Sequence, residues 1–227
     1  MFRRALSTNT HLLRPSPRLS SSPRSITRQP LPKRAYSQSN AQESPDSEEP
    51  TSFPDPTRPD LFYHLLTPQT HHDVPSPRFG LSFLSSAPKT ALSATIIGWL
   101  PAGGDVEPGL DDFKENSEFR ALMHASIREA LEEGADDIHI NGAMQLENGW
   151  MHIHDGRNPP PVARVGDPDD IIATVLVENS KIIPETYQPG PAYRLCTADG
   201  VTTLTEGLAM RLKQRLEAHT QTENKPS

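Results

Sequence analysis

The chain has 227 residues, of which 22 are basic and 29 acidic, and its formal net charge is −7. No stretch approaches the roughly 18 consecutive apolar residues that mark a membrane-spanning helix, and the sequence therefore predicts no transmembrane segment. Cys196 is the single cysteine, which excludes an intramolecular disulfide and a multi-cysteine zinc site.

Residues 1–36 differ in composition from the rest of the chain. They contain eight basic residues and no acidic residue, and Ser, Thr and Pro fill most of the other positions. This composition is typical of a mitochondrial transit peptide; the alternative is a basic disordered tail. The stretch around Arg34, Tyr36 and Ser37 resembles the processing pattern of matrix peptidases, in which Arg, any residue and Tyr precede Ser. We therefore expect a cleaved transit peptide and a mature chain that begins near Ser37.

Cleavage there would change the electrostatic character of the protein. The remaining chain has 14 basic and 29 acidic residues, a net charge of −15. Phosphate groups repel such a surface, so neither nucleic acid nor anionic lipid is an expected partner. Basic proteins are the expected partners. A single cysteine also fits a reducing compartment, which makes the mitochondrial matrix the predicted location.

The mature chain divides into three parts by composition. Residues 37–58 are polar, acidic and rich in Pro, and they hold too little apolar surface to offset the entropy of ordering, so we expect disorder. Residues 59–218 are expected to form a single domain of ordinary size, opening with a short helix or anchored turn at residues 59–66. Residues 219–227 are expected to be a disordered tail.

The first elements of the domain are predicted to be two strands and a helix. The strand segments are RFGLSFLS and LSATIIGWLPA, which are rich in β-branched and aromatic residues. The helix follows, and apolar residues recur in it at helical spacing from Phe119 to Leu131. Asn116 or Ser117 is the predicted N-cap, and Gly134 the predicted end.

Two hairpins and a second helix are predicted after it. Asn148-Gly149 separates residues 137–146 from residues 150–155 and is a strong hairpin signal. Residues 169–177 and 181–187 form the second hairpin, whose first strand is almost wholly apolar and therefore central in its sheet. Pro184 in its second strand favours an edge position or a bulge.

The last predicted elements are a strand and the C-terminal helix. The strand is AYRLCTA, and the helix starts at Thr203 with Glu206 three residues later, which is a capping-box pattern. Together, these elements predict an α+β fold, because strands and helices do not alternate. We expect one mostly antiparallel sheet of about 5–7 strands with two helices on one face.

The stretch GWMHIHDGRN contains the first candidate site. In a strand, His152 and His154 share one face while Asp155 lies on the other unless the strand ends there. Both histidines can reach one metal ion. In the predicted hairpin register, Ala143 lies opposite His154, and His139 lies four residues beyond Ala143. At about 3.3 Å per residue this separation is about 13 Å, which is too far for His139 to share an ion with the other two histidines. The main interpretation is a polar, solvent-facing strand side, and the alternative is a metal or acid–base site.

The stretch VGDPDD contains the second candidate. Asp167 and Asp170 flank a Pro-containing turn sequence, so capping and turn formation are the main interpretation. Cation binding is the alternative, although a calcium loop would space its oxygen ligands more widely. Cys196 is interpreted as a small buried apolar residue rather than a nucleophile.

The third candidate is a Pro-rich segment that contains Tyr187, Tyr193 and Arg194. Tyr and Arg are typical anchors of protein interfaces, and prolines stiffen a loop, so this segment is a candidate partner-binding loop. The alternative is a packed connecting loop.

The sequence favours a soluble matrix protein that binds a mitochondrial protein, such as an assembly or maturation factor. This hypothesis rests on the acidic domain, the Tyr- and Arg-containing loop and the lack of a recognisable catalytic motif. Two alternatives stay open: a small metal-assisted hydrolase or other enzyme that uses His152 and His154, and a module that binds a small ligand. The sequence indicates no particular cofactor, so the cofactor is unknown.

Overall fold

A computed structural model describes residues 51–67, 76–103, 108–161 and 164–225. These residues belong to one compact unit. They contain three α-helices and ten strands, and every strand pair is antiparallel. The α+β fold class predicted from the sequence is therefore confirmed, although the strands form three sheets rather than one.

The first sheet contains five strands in sequential order. The strands are β1 (Ser52–Pro54), β2 (Phe62–Leu66), β3 (Arg78–Ser82), β4 (Gly98–Pro101) and β5 (Lys114–Glu115). The strand predicted from RFGLSFLS corresponds to β3. Only the end of LSATIIGWLPA is a strand, because residues 93–97 form buried turns before β4.

Two expectations for the start of the domain hold only in part. Residues 59 and 60 form a turn, as expected, but residues 62–66 form strand β2. The predicted disorder of residues 37–58 does not hold at its end, because β1 lies within it. The reason is tertiary pairing: Ser52 Oγ lies 2.8 Å from Nδ1 of His64, and the Asp55 carboxylate accepts hydrogen bonds from the Thr57 and Arg58 amides. Residues 37–50 lie outside the described residues.

Helix α1 (Ser117–Glu133) matches its prediction at both ends. The Asn116 side chain accepts a hydrogen bond from the Glu118 amide at 3.0 Å, and Gly134 adopts the left-handed conformation (φ 63°) that ends many helices. The buried face of α1 lies at the centre of the core and packs against the C-terminal helix. Its buried apolar residues are Phe119, Met123, Ile127, Ala130 and Leu131.

The first predicted hairpin is wrong, because residues 137–146 form helix α2 (Asp137–Leu146). The Asn148-Gly149 signal indicated a hairpin, but Asp136 caps a helix by accepting a hydrogen bond from the His139 amide at 3.2 Å. His139 and Ala143, four residues apart, form the buried face. The hairpin register that placed His139 on the same face as the other histidines, but about 13 Å further along the strand, therefore does not apply.

The second sheet contains three strands in the order β6 (Gly149–His154), β7 (Ile171–Glu178) and β8 (Lys181–Pro189). The β7–β8 hairpin and the central position of β7 were predicted correctly. Asn179 and Ser180 turn the chain with positive φ angles of 52° and 63°, as a tight hairpin requires. Edge strand β8 carries Pro184, and its pairing with β7 shifts register between Thr174 and Leu176.

A two-stranded ribbon and a helix complete the fold. The ribbon pairs β9 (Cys196–Thr197) with β10 (Gly200–Val201). Helix α3 spans Glu206–Glu223, so it starts three residues later than predicted and continues into the expected disordered tail. Thr205, not Thr203, is the N-cap residue, and its side chain makes no capping hydrogen bond. The predicted capping box is therefore wrong.

One hydrophobic core joins the two larger sheets to α1 and α3. It includes Leu81 and Ile97 from the first sheet region, Ile153 and Val175 from the second, and Leu212 from α3. Packing therefore fixes α3 against the rest of the fold along one side. Among the described residues, none of the helices is both long and apolar enough to cross a membrane.

Candidate functional site

The segment that follows β6 forms a buried polar network. Asp155 is 0% exposed, and one of its oxygens accepts hydrogen bonds from the Arg157 amide at 3.0 Å and the Thr203 amide at 2.8 Å. Its other oxygen accepts a hydrogen bond from the Tyr193 hydroxyl at 2.8 Å. Asp155 thus ties β6 to the segment before α3.

Arg157 is the centre of this network, and its side chain is 2% exposed. Its guanidinium donates to the Asp170 carboxylate at 2.8 Å and to the backbone carbonyls of Asp169 and Arg194 at 3.0 and 2.7 Å. Asn158 donates to the second Asp170 oxygen at 3.0 Å. These contacts join three loops that lie far apart in sequence.

The network leaves Asp155 poorly suited to acid–base chemistry. A general base must reach the proton of a substrate, but structural donors occupy both Asp155 oxygens and no part of the residue is exposed. The buried Tyr193 phenol is equally committed: its oxygen lies 2.6 Å from Thr202 Oγ1, and burial, followed by the charge of Asp155, raises its pKa. The network therefore has a structural role, which is to hold these loops together.

His152 and His154 share the face of β6 opposite Ile153, as the alternation predicted. Nδ1 of His152 lies 3.0 Å from Thr174 Oγ1 on β7, and the two imidazole rings are 6.0 Å apart. Burial, followed by the charge of His152, lowers the pKa of His154. Nδ1 of His154 is buried and has no hydrogen-bond partner among the described residues.

The acidic stretch that contains Pro168 brings three carboxylates together, with one oxygen of each within 4.8 Å of the others. In the described part of the chain, no other three His, Cys, Asp or Glu residues place their ligand atoms this close together. The set comprises Asp167, Asp169 and Asp170, and neither His152 nor His154 belongs to it. Asp170 is already neutralised by Arg157, and the residues form a 3-10 turn with Pro168 in its first position. The geometry is that of a turn and an ion pair.

The three residues of the predicted partner-binding loop differ in their exposure to solvent. Tyr193 is 2% exposed, so the expectation that it contacts a partner is wrong: its ring is needed in the core. Tyr187 is half-buried, and its hydroxyl lies 2.9 Å from Nδ1 of His124 on α1. Arg194 is exposed and is the member of this set that stays available for a partner. The processing residues Arg34, Tyr36 and Ser37 lie outside the described residues.

A cleft of about 720 Å³ lies elsewhere, between α3 and the ends of β2 and β3. We call it the α3 cleft. One wall is a stripe along α3 at helical spacing, and the other comes from the segments that flank the two strands. The lining residues of the α3 wall include Glu206, Met210, Lys213, Glu217 and Gln221, and those of the opposite wall include Arg58, Asp60, Phe62, Phe83 and Ser86.

The walls of the α3 cleft combine apolar and charged groups. Met210 is 56% exposed despite its apolar side chain, and it faces a cleft that Phe62 and Phe83 also line. The Arg58 guanidinium lies 5.9 Å from the Phe83 ring centre, donates to Asp60 and donates to the Val201 carbonyl at 2.6 Å. Arg58 therefore links the opposite wall to strand β10 through hydrogen bonds.

Sequence reasoning missed both Arg157 and the α3 cleft. Arg157 follows Asp155 by two residues, but nothing local shows that both side chains turn inward. For the cleft, a signal was present. Helix α3 buries Leu208, Leu212 and Leu216 on one face, and Met210 is an apolar residue on the opposite, otherwise polar face. An exposed apolar residue opposite a buried stripe is an indicator of a contact surface.

Comparison of the chain with protein-family models, with curated proteins and with solved structures gave no significant match.

Proposed function

We propose that this protein is a non-catalytic binding factor of the mitochondrial matrix, such as an assembly or maturation factor, and that its protein partner occupies the α3 cleft. The observation that carries the proposal is the exposure of Met210 in a cleft lined by Phe62 and Phe83. Aromatic and Met side chains are enriched at protein interfaces. Burial of apolar surface is the main favourable contribution to the free energy of protein association.

The chemistry of the other candidates supports binding over catalysis. Asp155 and Asp170 are held by Arg157, and His152 and His154 belong to no group of three metal ligands within the described ranges. A metal-assisted hydrolase needs an open coordination position beside at least three protein ligands. The hydrolase alternative that uses these histidines therefore has less support than partner binding.

The matrix location is supported by the composition of residues 1–36, which are basic and free of acidic residues. Such segments are drawn inward by the membrane potential. The acidic mature chain and its single cysteine agree with the same compartment.

The test is isolation of the tagged full chain from gently lysed mitochondria, followed by native mass measurement. Three versions are compared: the wild type, Met210→Asp in the cleft and Ile138→Asp on α2. Ile138 is 63% exposed and does not line the cleft, so it is a matched control for adding a carboxylate to an exposed helix position. We expect a stoichiometric complex with the wild type and Ile138→Asp, and its loss with Met210→Asp.

Two results would contradict the proposal. A wild-type chain that always runs as a lone monomer would remove protein binding and favour a small ligand in the cleft, which is large enough for one. A complex that survives Met210→Asp would place the partner on another surface. Equal urea midpoints of the two variants show that a lost complex is not caused by unfolding.

A further inference from the structure

We infer that the occupant of the α3 cleft is an amphipathic helix with net positive charge, contributed by another protein. This inference rests on the proposed function and adds to it the shape and charge of the partner segment. It follows from three properties of the cleft: the periodicity of its α3 wall, its apolar groups and its charges.

The α3 wall repeats at helical spacing over its whole length. The lining positions run from Glu206 to Gln221 in steps of three and four residues, through Met210, Lys213 and Glu217. At about 1.5 Å per residue the stripe is about 22 Å long. This length matches a partner helix of about four turns lying along α3, which is the common helix-in-groove mode of recognition.

The apolar groups in the cleft suit one face of such a helix. Phe62 and Phe83 line the strand side, and Leu204 and Met210 line the α3 side. Together they provide an apolar strip in a cleft that polar and charged residues also line. A partner with apolar residues at positions i, i+3 or i+4, and i+7 would cover this strip while its polar face stays in water.

The charges of the cleft favour a basic partner. Arg58 is already committed to Asp60 and to two backbone carbonyls, which leaves Glu206, Glu217 and Lys213 on the α3 wall. The wider surface has the same sign: the described residues include 14 basic and 22 acidic residues, a net charge of −8. Complementary charge accelerates encounter and selects among partners.

The positions of these charges specify a pattern. Glu206 and Glu217 are eleven residues apart, which is about three helical turns, and Lys213 lies between them. A complementary helix therefore carries Lys or Arg about three turns apart, with an acidic or polar residue between the two. A uniformly acidic helix would face like charges at both ends.

The test is fluorescence anisotropy with dye-labelled peptides of 18 residues and the full chain. The first peptide has Leu at helical spacing on one face and Lys on the other. The second has the same composition in an order that spreads Leu around the helix, and the third replaces every Lys with Glu. We expect the first peptide to bind at least tenfold more tightly than the other two, and Met210→Asp to weaken it at least tenfold while Ile138→Asp does not.

Charge reversal at the cleft gives a separate readout. Glu217→Lys is expected to weaken the Leu/Lys peptide severalfold and to strengthen the Leu/Glu peptide. Equal binding of the three peptides, or tight binding that ignores Met210→Asp and Glu217→Lys, would overturn the inference. A dimer of the chain itself that Met210→Asp dissociates would also overturn it.

The two proposals fail in different ways. A partner complex that depends on Met210, together with no preference for the Leu/Lys peptide, would leave the proposed function intact and remove the helix inference. A partner complex that is independent of Met210 would remove the cleft from the proposed function.

Discussion

The Asp155 carboxylate receives the Tyr193 hydroxyl and two backbone amides, and the charge of Arg157 lies 3.6 Å away. Asp155→Asn should therefore lower the free energy of unfolding by about 1–3 kcal/mol, because the Asn amide nitrogen cannot accept a hydrogen bond and leaves at least one of these buried donors without its acceptor. Urea unfolding measures this change.

The matched control is Asp199→Asn, an exposed Asp in the turn between β9 and β10. We expect it to change the free energy of unfolding by no more than about 0.5 kcal/mol. Equal effects of the two substitutions would show that the Asp155 network does not stabilise the fold.

His124 makes stability depend on pH in a defined window. Burial, followed by the positive charge of Arg120, lowers its pKa from 6.5 to about 4, so the folded state favours the neutral ring more than the unfolded chain does. The resulting stabilisation is complete above pH 6.5 and is lost as the pH falls toward 4.

His124→Gln removes this titration, and Gln retains an acceptor for the Tyr187 hydroxyl. Urea unfolding between pH 7 and pH 4.5 should show a shallower loss of stability in the variant than in the wild type. Part of the slope should remain, because burial also lowers the pKa of His64. An unchanged slope would show that His124 is not held neutral by the fold.

At the scale of elements, Asp136 connects two helices. One oxygen accepts from the His139 amide at the start of α2, and the other accepts from the Gly207 amide at the start of α3 at 3.2 Å. This second contact supplies the cap that Thr205 does not provide. Asp136→Ala should therefore cost about 2 kcal/mol or more, since a single cap contributes about 1 kcal/mol.

Asp137→Ala is the control for this prediction. Asp137 is the next residue and is exposed in the first turn of α2. Its carboxylate interacts favourably with the helix dipole there, so a loss of a few tenths of a kcal/mol is expected. Thermal or urea unfolding compares the two variants. Similar losses would mean that the cap to α3 contributes nothing.

Local patterns predicted the elements whose caps and turns are local in sequence. Helix α1 has its cap at Asn116 and its stop at Gly134, and the β7–β8 hairpin has its own turn, so both were recovered. Helix α2 was missed because the neighbouring Asn148-Gly149 signal favoured a hairpin; its cap at Asp136 is local, but its buried face depends on tertiary contacts. Strand β1 was missed for the same reason, since its partner lies beyond the turn at Asp55.

The candidate sites followed the same division. Alternation along β6 correctly separated His152 and His154 from Ile153. The bonding of Asp155 to Tyr193 and Thr203 spans almost 50 residues, and the α3 cleft joins segments more than 100 residues apart. Such contacts arise only from the folded topology, so no local motif predicts them. For the cleft, Met210 on the polar face of α3 was a local indicator of exposed apolar surface, but it does not identify the opposite wall.

At the scale of the whole molecule, processing would convert a chain of net charge −7 into one of −15. We expect the protein isolated from mitochondria to begin at Ser37, or at Tyr36 before trimming. Terminal-amine labelling followed by mass spectrometry identifies the first residue. Arg34→Ala should displace that terminus, whereas Arg28→Ala should not. A chain that still begins at Met1 inside mitochondria would contradict this prediction.

Edge strand β1 sets a limit on how far the chain can be shortened. The Thr51 carbonyl accepts the Leu65 amide at 2.7 Å, and Ser52 Oγ lies beside the imidazole of fully buried His64. A truncation beyond Thr51 would remove the hydrogen-bond partner of that ring nitrogen. It would also leave β2 as an unpaired edge strand, and such edges pair with other molecules. A predicted start at Ser37 leaves this strand whole, so shortened versions for crystallisation should keep Thr51 and everything after it.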